Sequence, residues 1–303
     1  MDRKGRMPRS PSLSLAVVGH VNVDRFLRVP RPLARDRTVP VIARFERLGG
    51  TAANIALGAA RLGVPVGLAG RIGRDFPPPF LAALRRSGID LGGLERVPGR
   101  ETPTCTIVED PRGETCVLIE QGPMDRSAAT APVPRAWLRR FDWLHLTTGE
   151  PKWLLRWAEA ARALGVRVSV DPAQEVHYRW SAVALRRLLA GAEVLFGNAH
   201  EIDRVVSLLG HRRVEALLRH VPVIVRTDGA RGAVAYHRAG VTTAASRPAR
   251  RIATTVGAGD AFRAGFFHRW LSGATLSAAL RAGNLAASRW VRGVGRPIDR
   301  AYR

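Results

Sequence analysis

TTVGAGDAFRAGF, Thr254 to Phe266, sets three small residues, Gly257, Ala258 and Gly259, directly before an acid, Asp260. An apolar stretch with aromatics at helical spacing follows, AFRAGFFHRWL. Glycines let backbone N–H groups come close to an anion, and a helix N-terminus adds the positive end of its dipole. Asp260 has two readings. It is a helix N-cap in a glycine turn, or it is a base beside an anion hole. In the second, the carboxylate takes a hydroxyl proton while the amides hold charge developing on the transferred group. That is the layout for phosphoryl transfer to an alcohol.

Upstream, FDWLHLTTG (141–149), VRVSVDPAQ (166–174), AEVLFGNAHE (192–201) and VPVIVRTDG (221–229) are strand-like runs ending in Gly, Asn, Asp or Thr. PKWLLRWAEAARALG and HEIDRVVSLLG lie between them with helical character. The alternation predicts an α/β fold: a mainly parallel sheet, helices on both faces, and chemistry at the carboxyl ends of the strands. LAVVGHV (15–21) reads as a first strand, GGTAANIALGAARLG (49–63) as a glycine turn opening a helix. Pro77 to Pro79 sit where a helix begins. Two pieces fall outside the alternation, about 22–48 and 94–123, and are expected to pair as a small lid sheet. The second contains the hairpin ETPTCTIVEDPRGETCVLIEQGP. Residues 1–12 read as a tail and 13–303 as one domain carrying the lid segments, with no long linker or repeat.

The 303 residues are 46% hydrophobic, which excludes a disordered chain. No apolar run reaches the roughly 18 residues of a membrane span, and the N-terminus reads as a strand and not a signal peptide. A cytoplasmic enzyme is expected. Net charge is +23, but all of the 48 basic residues except Lys4 and Lys152 are arginine, spread along the chain. This points to a GC-rich codon bias and, at most, non-specific attraction of nucleic acid. Cys105 and Cys116, the only cysteines, flank the DPRG turn; free thiols are expected, with a cross-strand disulfide as the other option.

Two further motifs are ambiguous alone. NAHE places Asn198 and Glu201 three apart on a first helical turn, as a cap pair or as organisers of a hydrated Mg²⁺. VIVRTDGARGAVAY (223–236) is a strand, a Gly-rich turn and a returning strand.

Together, GGTAAN, GRIGRD, NAHE, RTDGARG and TVGAGDAFRAGF, in that order, resemble the ribokinase-like (PfkB-type) family of carbohydrate and nucleoside kinases from about residue 15 to 297. The resemblance implies a three-layer αβα fold with a β-sheet lid that clasps a second copy in several members. It implies ATP as phosphate donor, with Asp260 as the base and Gly257, Ala258 and Gly259 as the anion hole. Asn198 and Glu201 then position Mg²⁺ through water. Thr227, Gly229 and Gly232 hold the ATP phosphates and ribose, and Asn284 lines the adenine site. Asp24, Gly49, Gly50 and Asn54 bind the acceptor's vicinal hydroxyls; a carboxylate accepts two hydrogen bonds from a diol. The family often has Asp where Thr254 stands, an argument here against activation by a monovalent cation such as K⁺.

HLTTGEP (145–151), SVDPAQ (169–174) and AFRAGF (261–266) look most like archaeal-type, broad-specificity nucleoside kinases. Many sugar kinases of the family carry Asp-x-Asn-x-Arg at the second stretch, which here reads Asp171-Pro172-Ala173-Gln174. Gln174 is expected at the substrate, with Arg263 replacing the missing charge, so that Arg263→Ala harms turnover far more than folding. The competing enzyme is a sugar kinase acting on ribose, fructose, a ketodeoxy acid or a sugar phosphate, the last served by Arg25, Arg28 and Arg112. A non-catalytic sugar- or nucleotide-binding relative, or a nucleic-acid-binding protein, is the reading from another class. Against nucleosides stands Glu120-Gln121, polar where an aromatic would stack on a base.

Overall fold

The strand β1 (Leu13–Val18) is apolar on both sides, as a central parallel strand should be. Leu15 and Val17 enter one hydrophobic core; Ala16 and Val18 enter the other. The protein, seen in a computed structural model, is described over residues 13–125, 131–246, 252, 254–293 and 299–301. The expected tail at 1–12 lies outside them.

In chain order β1 is followed by β2 (Asn22–Arg28), β3 (Ala43–Gly49), α1 (Thr51–Arg61), β4 (Val66–Ile72), α2 (Pro78–Arg86) and β5 (Asp90–Arg96). Next come β6 (Thr104–Glu109), β7 (Thr115–Glu120), α3 (Arg135–Leu138), β8 (Phe141–Leu146), α4 (Pro151–Ala163), β9 (Arg167–Val170) and α5 (Ala182–Leu189). Then follow β10 (Ala192–Asn198), α6 (Ala199–Leu208), β11 (Val223–Thr227), β12 (Ala233–His237) and β13 (Gly240–Ala244). The last are α7 (Ala258–Trp270), α8 (Leu276–Val291) and β14 (Asp299–Ala301).

Nine strands form one sheet, ordered β13-β12-β11-β10-β9-β8-β1-β4-β5. It is parallel from β11 to β5; β12 and β13 add on antiparallel. Residues of α1, α2, α7 and α8 fill one core, and those of α3 to α6 fill the other, giving three layers. From β1 the chain runs outward through β4 and β5, then returns to the opposite side of β1 as β8. Parallel sheets bind ligands at such a reversal, beyond the carboxyl ends. There His20 Nδ1 lies 2.9 Å from Thr148 Oγ1, tying the loop after β1 to the loop after β8.

A second sheet, β14-β3-β2-β6-β7, is the lid. The expected lid boundary near residue 94 falls inside β5, which pairs with β4 in the large sheet. Gly92 and Gly93 hide that strand in the sequence, yet they are what admits it. A Cβ on Gly93 would lie 2.5 Å from Ala69 Cβ and 2.9 Å from the Trp137 ring. The lid gains β14 from the far C-terminal end, a three-residue strand with no sequence signal of its own. Cys105 and Cys116 are free; Cys105 pairs across the hairpin with Ile119, and Cys116 with Val108.

Candidate active site

Gly257 caps α7 with φ 82, a left-handed conformation that favours glycine. A Cβ there would lie 2.8 Å from the Trp290 ring, whose Nε1 donates to Val256 O at 2.7 Å. The GAGD turn is thus wedged against α8. Of the three residues expected in the anion hole, Ala258 already donates its N–H to Thr255 O at 3.1 Å, because the left-handed residue closes the turn upon itself. Gly257 and Gly259 keep N–H groups without a protein acceptor among the described residues.

Asp260, in the first turn of α7, faces a cleft of about 700 Å³ between the sheet's carboxyl edge and the lid. It is not a side-chain N-cap; it accepts a hydrogen bond from Asn54 Nδ2 at 2.9 Å, carried by α1. Loss of solvent pushes its carboxyl up to about 7, against the pull of Asn54 and Arg263. Asp24, on β2, is pushed up to about 7 as well, by burial first and then by the charge of Asp260. Two like-charged groups share this space.

Gly49 has a different role from the one expected. It does not line the cleft. Its missing side chain makes room for Asp24, whose carboxylate would lie 2.0 Å from a Cβ at 49. Gly50 has φ 91, and a Cβ there would sit 2.4 Å from His20 O. Next to Asp24, Asn22 Oδ1 and Asn54 Oδ1 are buried acceptors without a protein donor among the described residues. Buried polar atoms are rarely left unpaired.

Asn198 and Glu201 form a reciprocal capping box on α6: Glu201 N donates to Asn198 Oδ1 at 2.9 Å, and Asn198 N to Glu201 Oε2 at 2.7 Å. Both line the cleft, so the cap orients them toward it. Among the described residues, no cluster of three His, Cys, Asp or Glu could enclose a metal. One carboxylate with a spare oxygen suits a hydrated Mg²⁺ held mainly by phosphates and water.

Thr227 ends β11, and Gly229 (φ 53) and Gly232 (φ 103) shape the turn after it. A Cβ on Gly232 would lie 2.2 Å from Ala244 O. Asn284 spends its Nδ2 on Ala244 O at 2.7 Å, fixing the end of β13. All four line the cleft. Thr254 brings only a hydroxyl, which accepts from Val256 N.

Arg263 is the largest departure. It is 4% exposed and its Nε donates to Asp171 Oδ2 at 2.8 Å. Nη1 donates to Gly259 O at 3.1 Å. Burial works against its charge, but Asp171, Glu201 and Asp260 hold the guanidinium above its ordinary value. It is neither a solvated helix arginine nor a free charge. Gln174 is exposed on the cleft wall, after Ala173 at φ 47.

Arg25 and Arg28 pair with Glu46 and Glu109 on the lid. Neither they nor Arg112 line the cleft; among the described residues its one arginine is Arg263. Sequence reasoning missed His20, Thr51 and Thr148, whose side chains bond to one another at the sheet's reversal. The signal was available, since His20 directly follows the glycine after β1. It also missed Tyr178, which lines the cleft at 56% exposure.

The pfkB family carbohydrate kinase profile matches residues 12–296. A nucleoside kinase of Methanothermobacter thermautotrophicus is 33% identical over 285 residues, 92% of this chain and 89% of that protein. An ATP-dependent ribose-1-phosphate kinase of Halopiger xanaduensis is 31% identical over 269 residues, 88% of each chain. The crystal structure of Methanocaldococcus jannaschii nucleoside kinase superposes with a TM-score of 0.83 at 25% identity, covering 93% of both chains. Among the described residues no helix is long and apolar enough to cross a membrane.

Proposed function

The chain belongs to the pfkB family of carbohydrate kinases, phosphotransferases with an alcohol as acceptor, and we propose that it moves the γ-phosphate of ATP to the 5′-hydroxyl of a nucleoside. The carrying observation is the chemistry of the acceptor end. Asp24, Asn22 Oδ1 and Asn54 Oδ1 are acceptors that call for donors, and a ribose ring supplies hydroxyls. A phosphorylated acceptor needs a cation, and the one arginine lining this cleft among the described residues is committed to Asp171 and Gly259. That weighs against a sugar phosphate, although one similar protein is a ribose-1-phosphate kinase.

In this reading Asp24 accepts from the sugar diol and Asp260 takes the proton of the attacking hydroxyl. Asn54 holds Asp260 Oδ2 and so fixes where the carboxylate points. The free N–H groups of Gly257 and Gly259, at the N-terminus of α7, receive charge on the transferred phosphoryl group. Thr227, Gly229, Gly232 and Asn284 frame the ATP. Glu201 and Asn198 would hold Mg²⁺ through water, and the ion would neutralise charge on the phosphates.

The test is ATP-dependent ADP release with Mg²⁺ against cytidine, adenosine, inosine and guanosine, beside ribose, fructose and ribose 1-phosphate. Turnover with nucleosides is expected. Turnover only with a sugar or sugar phosphate would overturn the acceptor assignment. Gly49→Ala supplies a second check, because its Cβ displaces Asp24. It should raise the acceptor KM by about 10–100-fold, the value of hydrogen bonds to a charged group, and leave the ATP KM unchanged. Equal effects on both substrates would detach Asp24 from the acceptor.

A further inference from the structure

We propose that the acceptor's nucleobase packs on the ring of Tyr178, with Val117 and Ile119 of the lid strand β7 opposite it, an assignment that rests on the nucleoside reading above. Tyr178 follows a short 3-10 turn at Ala173–His177 and is 56% exposed, yet it lines the cleft. An aromatic left open inside a cleft lacks a partner for its face.

A hydrogen-bonded relay runs close to the ring. Thr148 Oγ1 meets His20 Nδ1 at 2.9 Å, and His20 Nε2 meets Gln121 Oε1 at 2.8 Å. Gln121 lies close enough to the Tyr178 hydroxyl to act on it. His20 is 2% exposed, so the chain is anchored in the core at the sheet's reversal. This relay joins the large sheet to the end of the lid. It also explains Gln121. The polar residue standing where an aromatic was expected to stack on the base is instead a link of this relay.

The position fits. Asp24 lies beside Cys105 in the register of β2 with β6, and Cys105 lies close enough to Tyr178 to act on its charge. Asp24 also feels the charge of Asp260. An acceptor whose reacting hydroxyl meets Asp260 and whose diol meets Asp24 shares one cleft with Tyr178, where its remaining substituent can reach the ring. The lid face of the cleft is apolar, built of Ile107, Val117 and Ile119, while Glu175 lines the side of Tyr178. It suits a flat heteroaromatic group and does not suit a hydroxymethyl or a phosphate. Gln174 is an exposed amide lining the same cleft, while Gln121 is already bonded. One adaptable amide and one ring admit purines and pyrimidines alike.

The experiment measures kcat/KM for inosine, cytidine and methyl β-ribofuranoside, which keeps the ribose and lacks a base. In Tyr178→Ala the KM for both nucleosides is expected to rise about tenfold, the scale of base–aromatic stacking. The preference for inosine over the methyl riboside should fall by the same factor. Tyr178→Phe keeps the ring and should keep the wild-type preference, whereas Tyr178→Leu keeps bulk and should lose it. If the alanine variant does not fold, the Phe–Leu pair carries the test alone. An unchanged nucleoside preference in Tyr178→Leu would overturn the assignment while leaving the nucleoside kinase reading intact. A wild-type enzyme that phosphorylates no nucleoside would overturn both.

Discussion

Asp260→Asn is expected to fold and to lose about a thousandfold in kcat, within the range of a positioned general base. Asparagine keeps the shape, and its carbonyl can still accept the Asn54 hydrogen bond seen at 2.9 Å. It cannot take a proton. Because surroundings push Asp260 up to about 7, wild-type kcat/KM should climb with pH through that value and then level off. Asp24 also sits at about 7 and repels Asp260, so the rising limb belongs to the pair. Asp24→Asn, which removes the like charge, should move the limb to lower pH. Asp260→Asn should flatten it. Near-wild-type turnover in Asp260→Asn would remove the residue from the base role.

The same substitution has a stability signature. The folded-state value of about 7 lies above the ordinary 3.8. Between those values the native state binds more protons than the unfolded one, so wild-type stability falls as pH rises. The penalty is complete above about 7. Asp260→Asn should therefore raise the melting temperature at pH 8 and leave it unchanged near pH 3. A variant that is slow and yet more stable at pH 8 marks a site strained for chemistry.

Most of the large sheet could be read from the sequence, because β1, β8, β9, β10 and β11 are short apolar runs punctuated by glycine, aspartate or asparagine and separated by helices. β5 was hidden since its middle is Gly92-Gly93, whose purpose is to let Trp137 approach, a contact across 44 residues of chain. In the site, GAGD and the Asn198–Glu201 pair were legible because each is a local backbone device, a left-handed turn and a capping box. Gly49, Arg263 and Tyr178 were misread or missed for one reason. Their roles depend on partners far away in sequence: Asp24 for Gly49, Asp171 for Arg263, and the lid strand β7 across the cleft for Tyr178. Spacing announces a residue's own turn or helix face; it does not announce what folds onto it.

Arg263 shows what that difference costs in prediction. From sequence, Arg263→Ala should spare folding. From structure it should not, since the guanidinium is 4% exposed and its partner Asp171 is 5% exposed. Removing one partner of a buried pair leaves the other charge uncompensated, which destabilises by about 3–5 kcal/mol. In a chain of this size the melting temperature should drop by roughly 5–8 °C. Turnover should fall too, because Nη1 also holds Gly259 O at 3.1 Å, beneath the N–H groups assigned to the anion hole. Arg263→Lys should recover little, since a point charge cannot reach both Asp171 and Gly259 as a planar fork does. The decisive variant is the double one, Arg263→Met with Asp171→Leu. It removes both buried charges, so stability should return toward wild type. Activity should stay low, because the Nη1 contact to Gly259 O is still missing. Recovery of both together would mean that Arg263 acts only through the fold; a melting temperature within about 2 °C of wild type in Arg263→Ala would show that the ion pair does not stabilise it.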